Sequence, residues 1–177
     1  MNEKQNIQYR LAACRDNAAL IALRLAYLTE DSGTLSATDA ANIEKRLPDY
    51  FARHLNDDFF AILAETNYQA AGVAFLVIQE IPAAPRFPTG KIGTLMNVYV
   101  RPQHRRCGIA TELLNRLIAI GQEHDVSYLE LKATAAGKPL YETLGFAAVS
   151  SPYLSMKLNL CVGDNPGESV GTICSQK

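Results

Sequence analysis

The chain has 177 residues, of which 48% are hydrophobic and 20% charged, and its formal net charge is −1. This length fits one domain with a sizeable core. The near-neutral charge provides no overall basic field, which argues against nucleic acid or an anionic membrane surface as a partner. Four widely spaced cysteines form no CxxC pair, so they indicate neither a disulfide framework nor a metal site (Cys14, Cys107, Cys161, Cys174).

The N-terminus is polar and lacks a leading apolar segment. The longest apolar helical run, near Ala18–Leu28, carries Arg24 and is too short to span a bilayer. We therefore expect a cytoplasmic protein that does not bind membranes.

Hydrophobic periodicity predicts a front half that begins with a strand and two helices and continues with two strands. In chain order these are a strand at Ile7–Ala13, a helix from about Asp16, a helix from Ser36 or Thr38 towards Leu55, and strands at Phe59–Thr66 and Gln69–Ile81. Pro48 is expected to kink or split the second helix. Only Asn67 and Tyr68 separate the two strands, which favours an antiparallel hairpin.

The back half is predicted to alternate strands and helices after a proline-rich loop at Pro82–Gly90. Its elements are a strand at Lys91–Val100, an amphipathic helix from about Gly108, a strand at Ser127–Ala133, a short helix at Lys138–Leu144 that stops at Gly145, and a closing hairpin formed by Phe146–Val149 and Tyr153–Leu160. The strand–helix–strand order requires a parallel pair. We predict an α+β fold with a mixed, mostly antiparallel sheet of six to seven strands flanked by about four helices. One domain is expected over residues 1–160, with a tail at 161–177.

The segment between Val100 and the following helix combines three arginines with a glycine. The first N–H groups of a helix have no partner within it, and the helix dipole adds partial positive charge there. A glycine lets a ligand approach the backbone closely, so these features fit an anion site for phosphate or pyrophosphate. The alternative is a basic surface turn with an ordinary cap.

Three short motifs here carry a family resemblance. RRCGIA (Arg105 to Ala110) is similar to the Q/R-x-x-G-x-G/A motif of the GNAT superfamily of acyl-CoA-dependent N-acyltransferases. NVYVRP resembles the fourth strand of that family, and PLYETLGF (Pro139 to Phe146) resembles its tyrosine-bearing segment. The resemblance implies a GNAT-like fold and acetyl-CoA as the acyl donor.

Carried over position by position, the resemblance implies the donor-binding residues. Backbone N–H groups of the turn would hold the pyrophosphate of coenzyme A (Arg106, Cys107, Gly108, Ile109, Ala110). Arg105 fills the Q/R position, and Thr111 would add a hydroxyl contact. Backbone groups of Val98, Tyr99 and Val100 would bond the pantetheine amides, as an added strand does.

Tyr141 is the catalytic residue that the resemblance implies, as the proton donor to the departing thiolate. The alternative is a tyrosine that only packs a short helix against the core. A backbone N–H near Val98 would hold the oxyanion formed when an amine attacks the acyl carbonyl. The general base stays open, because the family's strand glutamate falls near Thr94 and no carboxylate stands between Lys91 and Val100.

The expected acceptor is a small-molecule or peptide amine, and homodimers are common in the family. Acidic residues in the front helices and loop favour a cationic amine, although such residues are also an ordinary solvated face. The main rival is a non-catalytic, acyl-CoA-binding module that acts as a sensor or regulator.

Overall fold

The structure is a computed structural model that describes residues 6–150, 152–158 and 160. The chain divides into two units, Met1–Phe146 and Ala147–Lys177. Among the described helices, none is long and apolar enough to cross a membrane. The predicted boundary at residue 160 stays a prediction, and the predicted tail at 161–177 lies outside the described residues.

The first unit contains the predicted helices and strands in the predicted order. They are β1 (Gln8–Leu11), α1 (Asn17–Ser32), α2 (Ala37–His54), β2 (Phe59–Thr66), β3 (Gln69–Glu80), β4 (Lys91–Val100), α3 (Ile109–Glu123), β5 (Leu129–Glu130) and α4 (Lys138–Thr143). Pro48 lies inside α2 without splitting it. β5 is much shorter than the predicted strand at Ser127–Ala133, because only Leu129 and Glu130 pair with β4.

The strands form one mixed sheet in the order β1-β2-β3-β4-β5. The pairs β1–β2, β2–β3 and β3–β4 are antiparallel, which confirms the predicted hairpin. The last pair, β4–β5, is parallel, as the strand–helix–strand order requires. This confirms the mixed α+β fold with four helices.

The sheet has five strands in the described part of the chain, rather than the predicted six to seven. The predicted closing hairpin is the source of the difference, because no strand occurs in the described residues of the second unit. Alternating apolar residues there fit a strand pattern, but Val149 is 90% exposed and Met156 93% exposed. A periodic pattern shows that a segment can pair, whereas pairing also needs a neighbouring strand that buries its apolar face.

Each face of the sheet buries its own apolar cluster. The α3-side cluster packs α3 on the sheet through residues such as Phe60, Leu95 and Leu113. The α1-side cluster packs the front helices on the opposite face through residues such as Leu23 and Phe59. Adjacent residues of β2, Phe59 and Phe60, point to opposite clusters, which explains why the central strands are apolar at nearly every position.

Candidate functional site

The turn after β4 is built by two residues with left-handed backbones. Pro102 starts a short 3-10 turn that ends at His104. Arg106 has a φ of 64° and Gly108 a φ of 76°. Gly108 occupies the N-cap position of α3, but it has no side-chain oxygen that could accept a hydrogen bond from the first helical N–H groups. The helix begins at Ile109, in agreement with the start predicted near Gly108.

The N-terminus of α3 presents backbone donors that no helical carbonyl accepts. The first N–H group with a partner inside the helix is that of Glu112, which donates to the Gly108 carbonyl at 3.1 Å. Ile109, Ala110 and Thr111 precede it, so their N–H groups remain available to an anion. A Cβ placed at Gly108 meets no atom within 4 Å, so the protein leaves open the space beside these donors. A phosphate group fits this combination of donors and free space.

Arg105 is engaged with its own protein neighbours. Its Nη2 donates to both carboxylate oxygens of Glu30 at 2.6 and 2.8 Å, and its Nε donates to the Val100 carbonyl at 2.9 Å. Its guanidinium also lies 5.8 Å from the centre of the Tyr99 ring. The hydrogen bond with Glu30 is the main cause that raises the pKa of Arg105. This side chain therefore ties the turn to the C-terminal end of α1.

We expect Glu30→Gln to lower the free energy of unfolding by less than about 1 kcal/mol, because exposed ion pairs contribute little in water. The side chains of Arg105 and Glu30 are 41% and 51% exposed. Urea unfolding measures the change. Glu112→Gln is the matched control, because Glu112 pairs with Arg116 at 2.8 Å with similar exposure. A loss of several kcal/mol at Glu30 alone would contradict this expectation.

The predicted donor-binding residues differ in where their side chains lie. Ile109 and Tyr99 are anchored in the core, at 2% and 8% exposure. Arg106, Cys107 and Gly108 are exposed, and Val98, Val100, Ala110 and Thr111 are half-buried. The Cys107 thiol donates to the Arg105 carbonyl at 3.4 Å, within the turn itself. The side chains of Ile109 and Tyr99 thus hold a segment whose backbone stays accessible.

One edge of β4 is unpaired over most of its length. β5 pairs with β4 only at Gly93 and Thr94, and the rest of β4, up to Val100, has no strand partner on that side among the described residues. The Leu129 side chain packs where a Cβ would lie at Gly93 and closely approaches the Cβ position of Gly121 on α3. Beyond Thr94 no described strand continues beside β4, and its free backbone edge leads to the turn between β4 and α3.

β4 also carries a bulge in the middle of this open stretch. Val73 pairs with Tyr99 and Phe75 with Met96, so β4 spends one more residue than β3 over the same interval. Asn97 lies in the bulge with a φ of 52° and is 2% exposed. Its Oδ1 accepts a hydrogen bond from Nη1 of Arg24 at 3.0 Å. No local sequence pattern indicates a role for Arg24, which stands on α1.

Tyr141 stands on α4, and the way this helix ends at Gly145 accounts for the spacing between the two residues. Gly145 has a φ of 90°. Its N–H donates to the Glu142 carbonyl at 3.1 Å, and the Phe146 N–H donates to the Tyr141 carbonyl at 3.0 Å. This pair of hydrogen bonds is a Schellman motif, which confirms Gly145 as the residue that ends the helix. The rings of Tyr141 and Phe146 pack edge to face at 6.1 Å.

The Tyr141 ring packs against the α3-side cluster, as the packing interpretation expects, but its hydroxyl forms no hydrogen bond with another described residue. Burial, and to a lesser extent the nearby Tyr27, raise the pKa of Tyr141. The phenol therefore stays protonated at higher pH than an exposed tyrosine does. Its hydroxyl is thus a protonated group that has no hydrogen-bond partner among the described residues.

A carboxylate does reach the point where the strands part, although β4 supplies none. Glu130 of β5 lies beside Thr94, and the two side-chain oxygens are 3.5 Å apart. Glu130 is 36 positions along the chain from Thr94, so only the parallel pairing of β4 and β5 reveals it. Further along, the Thr134 hydroxyl accepts the Gly137 N–H at 3.1 Å just before α4.

Comparisons with known proteins agree with this geometry. The model of the acetyltransferase (GNAT) family matches residues 20–146. A predicted acetyltransferase from Clostridium acetobutylicum, solved with acetyl-CoA, is 30% identical with a TM-score of 0.74, covering 85% of this chain and 96% of that one. A GCN5-related N-acetyltransferase from Ralstonia eutropha JMP134 is 25% identical with a TM-score of 0.71, covering 86% and 99%.

An acetyltransferase from Trypanosoma brucei is 26% identical with a TM-score of 0.62, covering 88% of this chain and 100% of that one. No curated protein matches the chain significantly. The family match spans the turn before α3, the open edge of β4 and Tyr141 together. The chain belongs to the GNAT family of acetyltransferases, whose members take the acetyl group from acetyl-CoA.

Proposed function

We propose that the chain transfers the acetyl group of acetyl-CoA to the amino nitrogen of a small molecule or peptide, by direct attack within a ternary complex. The observation that carries this proposal is the continuity of three features along β4. Helix N–H groups without an intrahelical partner follow the end of the strand, and its edge beyond Thr94 has no partner strand among the described residues. The helix after the neighbouring strand holds a tyrosine whose hydroxyl forms no hydrogen bond with another described residue.

The donor is held by backbone groups. The N–H groups at the start of α3 bind the pyrophosphate, and the open space at Gly108 admits it. The unpaired edge of β4 from Val98 to Val100 bonds the pantetheine amides as one more strand would. Backbone recognition leaves the side chains of Val98 and Val100 free to pack on the α3-side cluster.

Bound acetyl-CoA supplies an acyl group activated as a thioester. As the new C–N bond forms and the C–S bond breaks, the thiolate takes the proton of the Tyr141 hydroxyl. The raised pKa of this phenol keeps it protonated until the leaving group needs the proton. The bulge interrupts the hydrogen-bond ladder between β3 and β4 near Val98. A backbone N–H near Val98 stabilises the negative charge that develops on the carbonyl oxygen of the acetyl group.

Glu130 is the group that we assign to remove the proton from the amine, through water, beside Thr94. We expect Glu130→Gln to lower kcat about tenfold or more near pH 7. Activity should recover as the pH approaches the pKa of the amine, because the neutral amine then needs no base. A pH profile of thiol release measures this. An identical profile for both proteins would remove Glu130 from the mechanism.

The proposed activity is tested by thiol release from acetyl-CoA in the presence of amines, with the acetylated product identified by mass spectrometry. The panel contains amino acids, polyamines, aminoglycosides and peptides with free N-termini. Formation of an N-acetyl product would support the proposal. Binding of acetyl-CoA without transfer to any amine would favour the non-catalytic module instead.

A further inference from the structure

Arg24 is a half-buried guanidinium without an ion-pair partner among the described residues. Its Nη1 donates to Asn97 Oδ1 at 3.0 Å, and its guanidinium carbon lies 5.8 Å from the centre of the Tyr27 ring. An amide oxygen and an aromatic face are neutral neighbours. They stabilise the charge without neutralising it.

The surroundings of Arg24 disfavour its charge. Burial is the main cause that lowers its pKa, and the opposing effects of Tyr27 and Asp31 do not compensate. Proteins seldom bury an arginine without a carboxylate beside it, because desolvation of a charge is costly. Arg10 shows the usual arrangement in this chain, since it bonds Asp16 at 2.7 Å and Glu65 at 2.7 Å. The missing counter-charge at Arg24 is therefore expected from a ligand.

Asn97 supplies a second unused donor at the same place. Its Nδ2 is buried and has no acceptor among the described residues. The Oδ1 of this amide accepts from Arg24, so the orientation of the amide is fixed and its N–H₂ group remains to be satisfied. A buried donor without an acceptor is costly, and together the guanidinium and the amide match a carboxylate or phosphate.

Tyr27 connects this donor pair to the reaction. Its ring lies under Arg24, and it is close enough to Tyr141 to contribute to the raised pKa of that phenol. Asn97 on the bulge of β4 and Arg24 on α1 are therefore linked to Tyr141 through one shared neighbour, Tyr27.

We propose that Arg24 and Asn97 bind an oxyanion carried by the acceptor, so that the acceptor class is amines that also bear a carboxylate or phosphate group. This inference rests on the proposed function. It differs from the cationic amine that the acidic front segments favour. Two of those acidic residues are already engaged, because Glu30 binds Arg105 and Asp39 bonds Ser36 at the start of α2.

The test compares kcat/KM for pairs of amines that differ only in the anionic group. Amino acids of several lengths are paired with their carboxamides, and phosphoethanolamine is paired with ethanolamine. We expect the carboxylate or phosphate member to be preferred about 10- to 100-fold, mainly through KM, as for a charge-assisted hydrogen bond. Which of the two pairs shows the preference identifies the oxyanion.

Three substitutions connect that preference to the site. Arg24→Met should abolish the preference, and Arg24→Lys should retain part of it. Asn97→Asp should also abolish it, because a carboxylate beside Arg24 takes the place of the ligand's oxyanion. Arg116→Met is the matched control, since Arg116 also lies over a tyrosine, 5.3 Å from the Tyr9 ring, but on α3. The control should keep the preference unchanged.

Each outcome decides between the alternatives. Equal kcat/KM within the pairs, or a preference that survives Arg24→Met and Asn97→Asp, would overturn this inference while the proposed function stands. Failure to acetylate any amine of either set, in protein that acetyl-CoA still stabilises, would overturn the proposed function and this inference with it.

Discussion

Acetyl-CoA at about 100 times its Kd should raise the free energy of unfolding by about 2.7 kcal/mol, which is about 5–10 °C in Tm for a chain of this size. The reason is that the native turn after β4 offers a preformed set of N–H donors, whereas the unfolded chain does not. Thermal unfolding with and without acetyl-CoA measures the shift. Gly108→Leu should abolish it, because the new side chain enters the space beside those donors.

Gly33→Leu is the matched control for the strain of this substitution. Gly33 has a φ of 77° and Gly108 a φ of 76°, and a Cβ at either position meets nothing within 4 Å. Both variants should lose about 1–2 kcal/mol of stability, because a leucine disfavours the left-handed backbone. Only Gly33→Leu should keep the shift with acetyl-CoA. A shift retained by Gly108→Leu would move the donor site elsewhere, and no shift in the unaltered protein at millimolar acetyl-CoA would remove the proposed activity.

Tyr141→Phe should lower kcat by about 10²- to 10⁴-fold, because the thiolate then leaves without a positioned proton donor. The KM for acetyl-CoA should stay nearly unchanged, since backbone groups bind the donor. The free energy of unfolding should change by less than about 1 kcal/mol, because the hydroxyl has no hydrogen bond with another described residue to lose. Steady-state kinetics and urea unfolding of the same protein measure these effects.

Tyr50→Phe is the control for the loss of a phenol. Burial raises the pKa of Tyr50 as it does that of Tyr141, but Tyr50 packs against Phe51 and Phe59 on α2 and β2. This variant should keep its full kcat. The pKa of Tyr141 lies above its ordinary value of 10, so this phenol is still protonated at pH values well below 10. A loss of activity in that range would therefore reflect the titration of another group. An unchanged kcat in Tyr141→Phe would leave this tyrosine with a packing role alone.

Local patterns in the sequence predict most of the fold. The apolar runs of β2 and β3, the two residues between them, and the glycines at 108 and 145 each determine structure within a few neighbours, and the structure confirms them. The short motifs that carry the family resemblance are likewise local. The positions of the turn before α3 and of Tyr141 were therefore predictable from the sequence.

The features that the sequence did not reveal depend on contacts between distant residues. The bulge at Asn97 exists only relative to β3, and the contact of Asn97 with Arg24 spans 73 positions. Glu30 and Arg105 are 75 positions apart. An asparagine within a strand is the one local signal for the bulge, because asparagine tolerates a left-handed backbone better than most residues. The predicted closing hairpin shows the converse, since its alternating apolar pattern corresponds to no strand in the described residues of that segment.

The attachment of β5 has a consequence for how this architecture diverges. Leu129 packs between Gly93 of β4 and Gly121 of α3, and a methyl group would collide with its side chain at Gly93 and crowd it at Gly121. These contacts lie at the start of β4, whereas the turn with the unpaired helix N–H groups follows the end of β4. The residues that attach β5 are therefore different from those that form the turn, and each set can change in sequence while the other is retained.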